Sequence, residues 1–280
     1  MKVLAGRPVA DAITQACREK IAALSRGGVL PKLAMIRIGA RGEDIAYERG
    51  MIRRFSSAGA AADVHELSEA NSRQALERLI TKLNGDPMVH GILVLRPLPE
   101  SIDEQRIAQL IRPDKDIDCM SDTNAAALFK GLCSGYPPCT PAAVMELLRY
   151  YRIDPAGRKA TIVGRSMVVG KPLAVMLTAL DATVTLCHTG TRNLPAECRN
   201  ADILISCAGK PHLIGADATR PGQVIIDVGI NMDEGRICGD VDYASVKDIV
   251  EAISPVPGGV GSITTSILLE HTVRSAANSL

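Results

Sequence analysis

The chain is poor in aromatic rings. It has no tryptophan, two phenylalanines and five tyrosines among 280 residues, so a tyrosine at a particular place carries more information than usual. It also has almost no net charge, with 32 lysines and arginines against 31 aspartates and glutamates. That balance offers no compositional case for nucleic acid or an acidic membrane surface, and small molecules become the better candidate ligands. No run of about 18 apolar residues occurs, and the N-terminal MKVLAGRPVADAITQ has no long apolar core. No membrane segment or leader is therefore expected, and the cytoplasm is the default compartment.

The eight cysteines, Cys17, Cys119, Cys133, Cys139, Cys187, Cys198, Cys207 and Cys238, form no C-x-x-C pair and no regular framework. They read as free thiols of a reducing compartment, mostly packing residues. The five histidines stand apart from them except at the neighbours Cys187 and His188, so no metal centre is expected. Internal repeats and low-complexity tracts are lacking as well.

What is present is alternation. KLAMIRIG from Lys32 reads as a strand, Glu43 to Ala58 as a helix and ADVHEL as a strand. Ser72 to Leu83 reads as an amphipathic helix with Ala75, Leu76, Leu79, Ile80 and Leu83 on one side, and HGILVLRPLP as a third strand. After a turn-rich stretch from Arg112 to Pro141, a helix AAVMELLRYY leads to a second series: ATIVG, ATVTLC, DILISC and QVIIDVGI. Strands separated by crossover-length segments imply right-handed βαβ units and mostly parallel sheets, with ligands beyond the carboxyl ends of strands. With 46% hydrophobic and 22% charged residues the composition is that of a globular protein, and 280 residues suit two lobes.

The most informative stretch is ATIVGRSMVVGKPL, Ala160 to Leu173. A β-branched run meets Gly164, and Gly170 and Pro172 open a helix whose free N–H groups suit a phosphate. The spacing is Gly-x5-Gly, so the strict G-x-G-x-x-G fingerprint is absent. The next strand ends in Cys187, His188 and Thr189, without the acid that would hold a ribose hydroxyl and repel a phosphate. With Arg165 in the turn and Thr189 or Thr191 as hydroxyl donors, this leans towards NADP.

Several stretches then agree in order along nearly the whole chain: GILVxxPLP at Gly91 to Pro99, PDKDID at Pro113 to Asp118, PPCTP at Pro137 to Pro141 and GRSMVVGKP at Gly164 to Pro172. CHTGT at Cys187 to Thr191, IDVGIN at Ile226 to Asn231, GDVD at Gly239 to Asp242 and PVPGGVGSIT at Pro255 to Thr264 follow. Together they resemble the bifunctional methylenetetrahydrofolate dehydrogenase/methenyltetrahydrofolate cyclohydrolases. The resemblance implies an α/β fold of two lobes. A folate-binding βα lobe, 1–140 plus 265–280, is completed by a returning C-terminal helix, and 141–264 forms a Rossmann-like doubly wound NADP-binding lobe. It also implies a cleft between the lobes, tetrahydrofolate derivatives as ligands and a homodimer.

For this chain the resemblance assigns Tyr47, Pro97 and Asp118, with the backbone of Gly258 and Gly259, to the folate. It assigns Gly164, Arg165, Ser166, Gly170, Thr189 and Ile230 to the cofactor. Three family positions differ. Asp44 stands at the serine position, Met51 where the catalytic lysine belongs and Leu95 where the glutamine belongs; Cys119 is a milder change from glycine. Hydride transfer mainly needs positioning, whereas hydrolysis of the resulting cation needs a group that handles protons. Met51 has none to give, so dehydrogenase activity with weak or lost cyclohydrolase activity is expected. A fully bifunctional enzyme and a non-catalytic ligand-binding paralogue are the rivals. Arg54, on nearly the same helix face as Met51, could stabilise charge or be solvated, and Asp44 could meet the folate or cap the helix.

Overall fold

The computed structural model describes residues 1–69, 72–132 and 134–279, with Ser72 described by its backbone alone. The expectation for Cys133 lies outside the described residues, and the other seven cysteines are free thiols. In chain order the elements are β1 (Lys2–Val3), α1 (Gly6–Arg26), β2 (Lys32–Ile38), α2 (Gly42–Ala58), β3 (Ala61–Leu67), α3 (Ser72–Gly85) and β4 (Gly91–Val94). Then come α4 (Glu104–Leu110), α5 (Asp122–Phe129), α6 (Cys139–Tyr150), β5 (Lys159–Val163), α7 (Gly170–Thr178), β6 (Thr183–Cys187), α8 (Leu194–Arg199) and β7 (Ile203–Ser206). The rest are β8 (Val224–Asp227), β9 (Asn231–Asp233), β10 (Arg236–Cys238), α9 (Tyr243–Val246), β11 (Ala252–Ile253) and α10 (Thr264–Asn278). Among the described residues no helix is long and apolar enough to cross a membrane. Two compact units result, Asp11–Cys139 with Thr265–Leu280 and Met1–Ala10 with Thr140–Thr264.

The first of these units has a three-stranded parallel sheet in the order β3-β2-β4. Alternation along β2 sorts its two faces. Ala34, Ile36 and Ile38 join Ile92 and Val94 in a core with Leu76, Ile80 and Leu83 of α3 and Ile107 of α4. Arg37 points the other way, where Glu48 of α2 meets its Nε at 2.7 Å and Glu66 of β3 meets its Nη2 at 2.9 Å. A buried guanidinium is tolerated because carboxylates answer it on two sides, and the pairing ties α2 to this face of the sheet.

The third strand is shorter than the expected ten residues and ends at Val94. Leu95 still donates its N–H to Ile36 O at 2.9 Å, but Pro97 and Pro99 have no N–H with which to continue a ladder. Beyond β4 the chain comes back as an irregular edge, with Ile92 N donating to Lys115 O at 2.8 Å and Ile92 bridging Asp116 in parallel. The C-terminal helix α10 packs here. Ser275 Oγ donates to Asp114 O at 2.8 Å, and His271 Nδ1–H donates to Ile117 O at 2.8 Å. The stretch read as turns also holds α5, whose N-cap Ser121 accepts from Asn124 N.

The other unit has six parallel strands in the order β1-β11-β8-β7-β5-β6. The chain runs outward from β5 to β6 and then returns to β7 on the other side of β5. That reversal leaves a crevice beyond the carboxyl ends of β5 and β7, the usual place for a ligand in a doubly wound sheet. Lys2 pairs with Ala252 and Val3 with Ile253, so the first ten residues group with this sheet, whereas the sequence reading set 1–140 in the other lobe. A two-residue edge strand has no periodicity to announce it.

Candidate active site

Helix α2 carries four of the singled-out positions. Asp44 lies in its first turn without capping it; Arg41 Nε holds its Oδ2 at 2.7 Å. Tyr47 follows, half-buried, and Met51 one turn later is wholly buried, at 0% exposure. Arg54 is not simply solvated. Its Nη1 donates to Thr14 Oγ1 at 3.1 Å and lies 3.6 Å from Asp11, so it is held to α1. Arg53 is exposed.

Leu95 is 7% exposed. The register that pairs Ile36 with Val94 puts Leu95 one step on, level with Arg37 and on the same face. That is the face to which Glu48 fastens α2, and Met51 sits three residues after Glu48. The lysine and glutamine positions of the resemblance are thus both occupied by buried apolar side chains, on elements tied together through Arg37 and Glu48. Glu48 is the one titratable residue among the buried residues of α2.

Asp118 ends the irregular edge at the carboxyl end of β4. Its Oδ1 accepts from Cys139 N at 2.9 Å, and Arg96 Nη2 lies 3.6 Å from its Oδ2. Burial pushes its pKa up, while the Cys139 N–H and Arg96 pull it back. A quarter of the side chain is nevertheless exposed, so the carboxylate can be reached. The supporting peptide is fixed by His271 and by the Cys139 thiol, 3.4 Å from Ile117 O. Cys119 adopts φ +56°, a left-handed conformation that favours glycine, the residue expected there from the resemblance. Pro97 follows a cis peptide bond next to Arg96. Sequence reasoning passed over Arg96, Arg37 and Glu48; the charge of Arg96 inside an otherwise apolar motif was the available signal.

The β5–α7 turn brings Gly164, Arg165, Ser166 and Gly170 together. A Cβ on Gly164 would lie 2.5 Å from Cys207 O, and one on Gly170 would lie 2.0 Å from Gly164 O. Ser166 Oγ accepts from Val169 N at 3.1 Å, closing the turn. The N–H groups of Arg165, Ser166, Met167 and Val168 have no acceptor among the described residues, a cradle suited to an anion. Arg165 is exposed and makes no ion pair among the described residues. Gly164 N donates to Cys187 O at 2.9 Å, which brings the end of β6 beside the turn, with Thr189 exposed and Thr191 Oγ1 accepting from His188 N.

In the same unit, Ile230, Gly258 and Gly259 share the wall of a cavity of about 190 Å3. Ile230 is 66% exposed. Gly258 takes φ +102°, and a Cβ on Gly259 would meet Pro255 O at 2.4 Å, so a side chain is disfavoured at both glycines. Asp227 organises its floor: its carboxylate accepts from Gly229 N at 3.1 Å and Val241 N at 2.9 Å.

Both halves of the chain are similar to known proteins. Residues 4–118 match the family model described as tetrahydrofolate dehydrogenase/cyclohydrolase, catalytic domain, and residues 138–280 match the corresponding NAD(P)-binding domain. The chain is 46% identical over 274 residues to a protein named bifunctional protein FolD from Alkaliphilus oremlandii, covering 98% of this chain and 96% of the relative. The FolD methylenetetrahydrofolate dehydrogenase/cyclohydrolase of Campylobacter jejuni superposes with a TM-score of 0.97 at 40% identity, covering all of both chains. The Trypanosoma brucei dehydrogenase-cyclohydrolase, solved with NADP cofactor and inhibitor, gives 0.94 at 35% identity, over 99% of this chain and 97% of that one. With both halves of the chain matched and relatives covering nearly its full length, the chain belongs to the tetrahydrofolate dehydrogenase/cyclohydrolase family.

Proposed function

We propose that the chain oxidises 5,10-methylenetetrahydrofolate to the 5,10-methenyl compound with NADP, and that its methenyltetrahydrofolate cyclohydrolase activity is weak or lost. The observation that carries this reading is the burial of Met51 and Leu95 at the lysine and glutamine positions. Neither side chain can donate or accept a proton. Removing a positioned acid or base costs about 10²- to 10⁴-fold in a step that needs one, and hydrolysis needs one where hydride transfer does not.

NADP, when bound, supplies the hydride acceptor. On this reading its phosphates take the cradle of Gly164, Arg165, Ser166 and Gly170, whose glycines leave no room for a Cβ. The unpaired Arg165 and exposed Thr189, with no acid at the end of β6, favour the extra phosphate of NADP. Ile230, Gly258 and Gly259 border the nicotinamide side, where flat backbone admits a ring. Asp118 accepts from the pterin amino group, Tyr47 and Pro97 border the pterin, and Met51 and Leu95 form an apolar wall that leaves water unactivated. The homodimer implied by the resemblance and the cytoplasmic setting expected from the sequence belong to the same proposal.

A second reading rests on Glu48, a buried carboxylate one turn before Met51 that could take over water activation. Arg37 already engages it at 2.7 Å, which commits it to a structural pair. Enzyme, methylenetetrahydrofolate and NADP together test both. The first reading expects NADPH and methenyl product to accumulate in equal amounts, with NAD at least about tenfold less effective. Formyl product appearing in step with NADPH supports the second reading, and no NADPH at all refutes both.

A further inference from the structure

We propose that the unit carrying Asp118 has a second ligand site, at the amino ends of β2 and β4, that binds a small organic carboxylate with an apolar body. The folate-side residues lie at the carboxyl ends of these strands. At the opposite end, where the chain enters β2 and β4, a cavity of about 540 Å3 opens, a size typical of small-molecule sites.

Three side chains that line it each keep one donor hydrogen without an acceptor among the described residues. His90 is 4% exposed and its Nδ1 accepts from Lys32 N at 3.2 Å, so the ring proton sits on Nε2, which has no partner among the described residues. Lys115 Nζ donates to Leu83 O at 2.9 Å and Asp86 O at 2.6 Å. Its third N–H has no acceptor, and no carboxylate pairs with it, among the described residues. Tyr136 is 4% exposed; the Arg274 guanidinium covers its ring at 4.2 Å, and its hydroxyl likewise has no partner among the described residues.

These donors belong to largely buried side chains and open onto the cavity, and a group that only accepts satisfies them best. An ionised carboxylate is such a group, with about four lone-pair sites and no proton, whereas an amide or amine brings further donors. Arg112 at the rim is already closed on Asp114 by two contacts, at 3.0 and 2.8 Å, so the cation left to match is Lys115. Burial pushes the pKa of Lys115 down, and a bound anion relieves that penalty. Burial likewise keeps His90 neutral, so a monoanion balances the site. The apolar body is called for by Leu30 and Met88, large side chains left 42% and 52% exposed at the mouth.

The test uses 2-naphthoate, titrated calorimetrically into the full chain. One molecule should bind per chain, and 2-naphthylmethanol, of the same size but uncharged, should bind at least tenfold more weakly. Met88→Glu should weaken naphthoate at least tenfold while leaving the unfolding midpoint unchanged, and Tyr136→Phe should weaken it severalfold. Tetrahydrofolate should not displace the probe. Lack of saturation, equal binding of the alcohol, indifference to Met88→Glu, or displacement by tetrahydrofolate would each overturn the proposal.

Discussion

The β5–α7 turn and the α2–β4 wall show two different ways in which a site constrains its residues. In the turn, Gly164 and Gly170 are dictated by space, because any side chain would collide with backbone at 2.5 or 2.0 Å. In the wall, Met51 and Leu95 are buried side chains with no group that handles protons, so what they change is the chemistry open to the wall. A cradle made of backbone tolerates no drift, whereas a wall made of side chains can change its reactivity and keep its shape. This is how one activity could be retained and its partner lost within a single fold.

The sharpest way to break that comparison is to restore the wall. Met51→Lys with Leu95→Gln should raise enzyme-dependent decay of methenyltetrahydrofolate by about 10²-fold, the scale of a positioned acid or base, with dehydrogenase turnover changed only severalfold. No gain would mean that the wall differs in shape as well. The turn should respond in the opposite manner. Gly170→Ala adds one methyl group against Gly164 O and should cost about 2–3 kcal/mol in denaturant unfolding, together with most of the NADP affinity.

Asp118→Asn probes the folate side without altering bulk. Losing a charged acceptor should raise KM for methylenetetrahydrofolate about tenfold and change kcat less, because on the proposed reading the carboxylate binds and does not react. The peptide behind it can be probed by pH. Burial lowers the His271 pKa from 6.5 to about 4, so the fold holds the neutral ring. Stability is full above pH 6.5 and falls as pH drops towards 4, since the unfolded chain takes up a proton that the folded one refuses. His271→Asn should flatten that limb in unfolding curves measured across this range. The smallest effect is expected at the tolerated strain: Cys119→Gly, at φ +56°, should add about 0.5–1 kcal/mol of stability.

Much of the fold was legible because its elements are periodic. Alternation in KLAMIRI and the 3–4 spacing of Leu76, Ile80 and Leu83 placed β2 and α3 within two residues of where they lie. α1 went unread although Val9, Ile13, Cys17, Ile21 and Leu24 repeat at helical spacing and are all buried. Four-residue β4 was read as a strand but drawn too long, whereas seven-residue α4 and two-residue β1 are too short for any period to register, and β1 is placed by its pairing with β11. At the candidate site the motifs located the glycine turns and Asp118. They could not reveal that Arg37 and Glu48, eleven residues apart, meet across the sheet face, because a long-range ion pair leaves no local pattern. The partners of Arg54 were hidden for the same reason, since they lie on α1.

The most direct test of the central claim is a comparison of methenyltetrahydrofolate decay in buffer alone and with stoichiometric enzyme, without NADP. The apolar wall of Met51 and Leu95 predicts the same rate in both. Decay with enzyme as fast as its own dehydrogenase turnover would show that water is being activated in that pocket after all, and would contradict the account.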